Sequence, residues 1–323
     1  MKLKEIYQLV IEFGKDNDPR SKREISQVLA RVREDYLSMK ADEKSYFDQD
    51  RLDNPYGDTR ILVGDPQTEV QTVLAGIDME VSEILLADAL RNRGEKIDLI
   101  ISHHPEGRAL AGLYQVMHMQ EDMLAEMGVP INVAEGIMGS RINEVQRGLM
   151  PANHNRAVDA AKLLGFSFMC VHTPADNMVN TFLANLMKKK KPGTLADIIN
   201  LLLEIPEYKH AAKMGTGPKI VVGKKQNRAG KIMVDMTGGT SGSKESYAKL
   251  AAAGVGTVIG MHIGEEHRKE AEKNHVNVII AGHMSSDSLG MNLMLDQLEL
   301  RGVIIKTCSG LYRVSRNSDN DVI

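Results

Sequence analysis

The chain has 323 residues, enough for two lobes or one large α/β unit. Its 42% hydrophobic and 26% charged residues are ordinary for a globular protein, and a net charge of −3 supplies no field to gather nucleic acid or an anionic membrane. Aromatic residues make up 4% with no Trp, so platforms for base stacking are also thin, and no nucleic-acid partner is expected.

Residues 1–50 read as a charged helical extension. Ile25, Val28, Leu29 and Val32 share one face after the Asp18-Pro19 turn, and would pack on the body or on a neighbour. Glu5 interrupts the region where a signal peptide needs an apolar run, and no apolar stretch reaches the ~18 residues of a membrane span. From about Thr59 the pattern alternates. The runs Val73–Ile77, Leu99–Ser102, Ile131–Ala134, Phe166–Val171, Ile220–Val222, Ile232–Met236, Thr257–Ile259 and Val276–Ala281 are predicted strands. Helical patterns lie between and after them at Arg108–Met127, Ala157–Leu164, Met178–Met187, Ser246–Ala253 and Ser288–Leu300. This alternation predicts an α/β fold of mostly parallel sheets flanked by helices, in two lobes. Lys188–Lys191 followed by Pro192-Gly193 punctuates the chain, and Thr194 with Asp197 then caps a new helix. The expected division is 51–190 together with 275–323 as one lobe and 191–274 as an inserted second lobe. No tandem repeat is visible. Cys170 and Cys308 make no disulfide framework and suit a reducing, cytoplasmic setting.

Sheets of this class place their ligands at the carboxyl ends of strands. Three predicted strands end in histidine. Ile100-Ile101-Ser102 runs into His103-His104-Pro105, where adjacent residues point apart and Pro105 keeps His104 extended, so each ring would serve a different ion. Cys170-Val171 runs into His172, then Thr173-Pro174 and Asp176, which has a competing reading as a helix N-cap. Val278–Ala281 runs through Gly282 into His283, then Ser286 as the expected N-cap and Asp287 without a capping duty. Together His103, His104, His283, Asp176 and Asp287 form a mixed N/O donor set that suits two divalent transition-metal ions. Zinc, iron, manganese or cobalt fit it better than calcium.

The stretches Asp98–Pro105, Val171–Asp176 and Ala281–Asp287 resemble the three signature stretches of the NGG-interacting-factor-three family, also called the GTP cyclohydrolase I type 2 family. Val63–Pro66, Ala75–Asp78 and Met236–Gly242 add to the likeness, which runs from about Asn54 to Tyr312. The resemblance implies a dinuclear centre held by His103, His104, Asp176, His283 and Asp287, with His172 packed behind them. It also implies a toroidal homohexamer. Two positions depart from the pattern: Asp287 stands where the family has Glu, and Glu106-Gly107 follows His-His-Pro where the family is apolar.

Other motifs are weaker. Thr237–Ser243 could form an anion-binding nest, although a plain strand–helix turn reads equally well and the segment is no P-loop. Gly215-Thr216-Gly217 lacks the glycines of a dinucleotide site. His262 and His267, with Glu265 and Glu266, read as surface helix residues, and His118 as structural. The expected function is dinuclear-metal-dependent hydrolysis of a small molecule. By resemblance the substrate is a nucleotide such as GTP, and Asp176 is the natural bridging carboxylate. The alternatives are a metal-binding or metal-delivery protein without turnover, and a protein-interaction scaffold. No general acid or base is assigned.

Overall fold

The computed structural model describes residues 1–317, and its strands form two sheets. β1 (Arg60–Val63), β2 (Thr72–Gly76), β3 (Leu99–Ser102), β4 (Ser167–Cys170) and β9 (Ile304–Thr307) make the first, in the order β1-β4-β3-β2-β9. β5 (Lys219–Val222), β6 (Lys231–Asp235), β7 (Val255–Gly260) and β8 (Asn277–Ile280) make the second, in the order β5-β8-β7-β6. Every pairing is parallel except β1 on β4 and β5 on β8. The chain is therefore α/β, with two mostly parallel sheets flanked by helices, as expected. Among the described residues no helix is long and apolar enough to cross a membrane.

The same four-strand order occurs twice. In each sheet the antiparallel edge strand breaks register, at Ile61/Val63 and at Ile220/Val222, and then enters a glycine of positive φ. Gly64 lies at +119° and Gly223 at +100°, a region that side chains rarely adopt. A Cβ on Gly64 would stand 2.7 Å from Ser167 Oγ, and one on Gly223 would run into Asn277 Oδ1. Both turns then anchor the start of a helix: Leu3 N donates to Thr68 O at 2.9 Å, and Leu195 N donates to Asn227 O at 3.0 Å. Topology carries this repeat, while residue identity does not.

Residues 1–50 divide in two. The helix Leu3–Asp16 sends Leu3, Ile6, Val10 and Ile11 into the core of the first sheet, against Met291, Met294, Leu295 and Leu298. The helix Lys22–Ser38 buries only Ile25 of its predicted apolar face. Ile131–Ala134, expected as a strand, is the first turn of the helix Ile131–Leu149. Pro130 caps it, and Ala134, Met138 and Ile142 repeat every four residues on its buried face. The expected helix Arg108–Met127 is instead three short ones, Gly107–Ala111, Leu113–Val116 and Met119–Glu126. Its break at Gly112 sits where a Cβ would stand 2.7 Å from Gly57 O. β1 and β9 were not predicted; both are four-residue edge strands. Residues 275–323 are expected with the first lobe, yet β8 pairs with β5 and β7 in the second sheet, and 318–323 lie outside the described residues. The capping box at Thr194 and Asp197 forms as predicted.

β4 leads into the helix Thr173–Lys190 and β8 into the helix His283–Glu299. These two helices pack on each other, and they join the two sheets. Their crossing is close at Gly290, where a Cβ would run into Ala175 O and stand 3.5 Å from Val179 Cγ1. Overpacking of this kind costs about 1–3 kcal/mol. Gly290→Ala is expected to lower stability by that order in denaturant unfolding. An unchanged unfolding midpoint would show that the crossing tolerates a methyl group.

Candidate metal centre

The site is built where three strands end. β3 stops at Ser102, and the backbone N–H groups of His103 and His104 continue the extended run by donating to Gly76 O and Ile77 O, both at 2.9 Å. The His103 ring is fixed through Nδ1, which donates to Val171 O at 3.0 Å, and the His104 ring through Nδ1, which donates to Asp78 Oδ1 at 2.6 Å. In both rings Nε2 is left facing the cluster, where it offers a lone pair once deprotonated, the arrangement a metal-binding imidazole needs.

After β4, the helix begins at Thr173 with Pro174 in its first turn and His172 at the cap position. Asp176 is thus a residue of the first turn and not the N-cap, so the capping role that competed with metal binding does not exist. His172 Nδ1 donates to Asp58 Oδ2 at 2.8 Å, and Thr173 Oγ1 donates to the same oxygen at 2.6 Å. Burial would raise the Asp58 carboxyl, but these bonds hold it below the usual range. His172 Nε2 then faces inward, 3.7 Å from Asp176 Oδ2. After β8 the helix begins at His283, with Gly282 at the cap, four residues before the expected cap at Ser286. Ser286 caps nothing; its hydroxyl donates back to Gly282 O at 2.6 Å and lies 3.0 Å from the Tyr208 hydroxyl. The early start places His283 and Asp287 one helical turn apart, with His283 Nε2 3.5 Å from Asp287 Oδ2.

Asp287 is the centre of the arrangement. Its Oδ1 lies 3.5 Å from His103 Nε2, and its Oδ2 lies 3.5 Å from both His104 Nε2 and His283 Nε2. Asp176 Oδ1 lies 3.4 Å from His103 Nε2. While Asp176, expected as the bridging carboxylate, faces His103 with one oxygen and His172 with the other, Asp287 faces one imidazole with one oxygen and two with the other. The shorter Asp side chain reaches both. Three donor groups lie close enough to hold an ion: His103 with Asp176 and Asp287; His104 with His283 and Asp287; and His103 with His104 and His172.

Among the described residues, His103 Nε2, Asp176 Oδ1 and both Asp287 oxygens are buried without a hydrogen-bond partner. His103, Asp176 and Asp287 are 1%, 4% and 1% exposed, while His104 and His283 are half-buried at the rim. Burial alone would lower the His103 pKa, but Asp287 and Asp176 outweigh it and raise His103 well above the ordinary value. Burial alone would raise Asp287, but His103 above all holds it far below the usual carboxylate range. His283 is lowered, chiefly by desolvation. Leaving several buried polar atoms unpaired costs about 1–3 kcal/mol each, and a cation among them removes that cost. The residues fit a metal.

A cavity of about 80 Å³ opens beside Asp176, His283 and Asp287. His262 and His267, expected on the surface, line it together with Asp235, Tyr247, Thr237 and the loop residues 239–242. The His262 ring stands edge-on to His283 with centroids 5.0 Å apart. Glu265 and Glu266 do face solvent and pair with Arg268 and Lys269. His118 is exposed beside Glu121. Sequence reasoning missed Asp58 as the partner of His172, since Gly57-Asp58-Thr59 carries no motif. Asp78 stood inside a matched stretch without a role.

No protein-family model matches the chain, and no curated protein matches it either. Among solved structures it is similar to a NIF3 superfamily protein from Sphaerobacter thermophilus, with 29% identity and a TM-score of 0.71 over 79% of this chain and 92% of that one. Its fold is also that of reduced HcgD from Methanocaldococcus jannaschii, at 16% identity and a TM-score of 0.52 over 83% of this chain and 97% of that one. With the His-His-Pro strand end and both His–Asp helix starts gathered at one site, the chain is similar to NIF3 superfamily proteins in both its fold and the residues of this site.

Proposed function

We propose that this protein is a dinuclear-metal-dependent hydrolase. His103, Asp176 and Asp287 would hold one divalent transition-metal ion, and His104, His283 and Asp287 the other. The observation that carries this reading is the set of buried, unpartnered donor atoms around Asp287. Bound ions of this kind polarise a substrate oxygen and lower the pKa of water. The chain's own residues supply the rest. Asp58 keeps the Nδ1 proton of His172 in place, so Nε2 is free to accept a proton from a water at the cluster. Asp78 and Val171 O hold the rings of His104 and His103 in register, which spares the site a reorganisation during reaction. The family likeness suggests a nucleotide such as GTP as substrate, a homohexamer as the assembly and a cytoplasmic setting.

Because Asp287 serves both donor groups and Asp176 one, their variants should differ. Elemental analysis of the metal-loaded protein is expected to give about two ions per chain, about one for Asp176→Asn, and fewer still for Asp287→Ala. Equal content in all three would remove both carboxylates from the site. For His172→Gln, metal content should stay at the wild-type level while turnover falls ~100-fold or more, the usual scale for loss of a general base. An unchanged rate in an assay of GTP ring opening would contradict the role given to His172.

Metal uptake should also release protons. In the metal-free protein burial would lower His103, but Asp287 and Asp176 raise it well above the ordinary histidine value and favour its protonated form, whose proton an ion must displace. Apparent affinity is therefore expected to rise with pH through neutrality. Calorimetry in two buffers of different ionisation enthalpy should show about one proton or more released per chain at pH 7. No release would mean that His103 stays outside the coordination sphere.

A further inference from the structure

The loop Thr237–Ser243 is held from behind. Gln120 Nε2 donates to Gly238 O at 2.6 Å and to Thr240 O at 2.7 Å, and Arg141 Nε donates to Ser241 O at 3.0 Å. The described residues contain no cis peptide bond, and in a trans peptide the N–H of the next residue points opposite to the carbonyl. The amides of Gly239, Ser241 and Gly242 therefore point away from Gln120 and Arg141. Neither Gln120 nor Arg141 lines the cavity, whereas Gly239, Thr240, Ser241 and Gly242 do. Among the described residues no acceptor is found for these three N–H groups. Gly238 and Gly239 lie at positive φ, +98° and +86°, and a Cβ on Gly239 would stand 2.9 Å from Val116 Cγ2.

A second set of unsatisfied groups faces the same cavity. Asp287 and Asp176 line the same space, both more than nine-tenths buried, with oxygens that have no hydrogen-bond partner. The cavity is thus lined both by backbone donors suited to an anion and by oxygens suited to cations. We propose that the Gly239, Ser241 and Gly242 amides form an oxyanion subsite that holds a phosphoryl group of the substrate while its reacting atom lies at the His–Asp cluster. The inference rests on the hydrolase reading for the second half of that statement only. Thr240 and Ser241 add hydroxyls at the cavity wall, and His262 Nδ1 lies 3.4 Å from Ser241 Oγ. One feature opposes anion binding. Asp235 also lines the cavity, outside the cation donors, and has no ion-pair partner among the described residues.

That opposition gives the test a variant that gains binding, which misfolding cannot mimic. Binding of inorganic phosphate and of acetate to the full chain is measured by calorimetry, both as purified and after chelation. The wild type is expected to bind phosphate saturably in both forms and more tightly than acetate. Ser241→Glu, which places a carboxylate among the amides, should weaken phosphate binding tenfold or more. Asp235→Asn should tighten it severalfold. The proposal is overturned if the chelated wild type shows no saturable binding, if acetate binds as tightly as phosphate, if Ser241→Glu binds like the wild type, or if Asp235→Asn fails to tighten. The chelated arm does not depend on metal. A protein that binds phosphate there yet never loads metal would sink the hydrolase reading and leave the subsite standing.

Discussion

A carboxylate taken out of water must find compensating charge or give up its own. Asp287 is 1% exposed, accepts no hydrogen bond among the described residues, and faces three imidazoles at 3.5 Å. Nearly everything else about the site answers that constraint. His103 is drawn toward its protonated form beside Asp287 and Asp176. The outer nitrogens of His103, His104 and His172 are tied to Val171 O, Asp78 and Asp58, so each ring offers the cluster its remaining nitrogen. A proton on His103 balances part of the charge, and cations held beside the carboxylate would balance it more fully. The loss of that balance on removing a partner is what makes a buried ionic cluster costly to disturb.

The fold exists around this cluster in a concrete sense. Each sheet ends a central parallel strand, β4 or β8, at the start of a helix whose first turns carry His and Asp four residues apart. Those helices cross at Ala175 and Gly290, and the absence of a side chain at Gly290 lets them approach. The repeated strand order therefore brings two similar strand–helix junctions face to face, and the end of β3 adds the paired histidines between them. The second sheet contributes more than His283 and Asp287. Its loop after β6 closes the cavity in front of the cluster.

The sequence reveals what is local. Apolar runs ending in histidine mark β3, β4 and β8, and the ordered His-His-Pro, His-x-x-x-Asp and His-x-x-x-Asp stretches single out six residues that the structure brings together, five of them the expected ligands. Helix starts were less legible. Thr173-Pro174 and His283-Met284 open their helices before Asp176 and Ser286, because a Pro in the first turn and the preceding glycine set the boundary. Register on the helix, not residue type, decides which imidazoles each carboxylate faces: Asp287 meets His103, His104 and His283, and Asp176 meets His103 and His172. Long-range partners were not legible at all. Asp58 lies 114 residues from His172, and Gln120 lies 118 from Gly238, so no local pattern could pair them. Ile131–Ala134 was ambiguous by length alone, since four residues suit a strand and a helical turn equally.

Anomalous diffraction from metal-soaked crystals tests the central claim most directly, because it locates ions without reference to activity. The account predicts two peaks about 3.5–4 Å apart, the separation usual for paired catalytic ions, with one Asp287 oxygen on each. A single peak, or two peaks that Asp287 does not join, would contradict it.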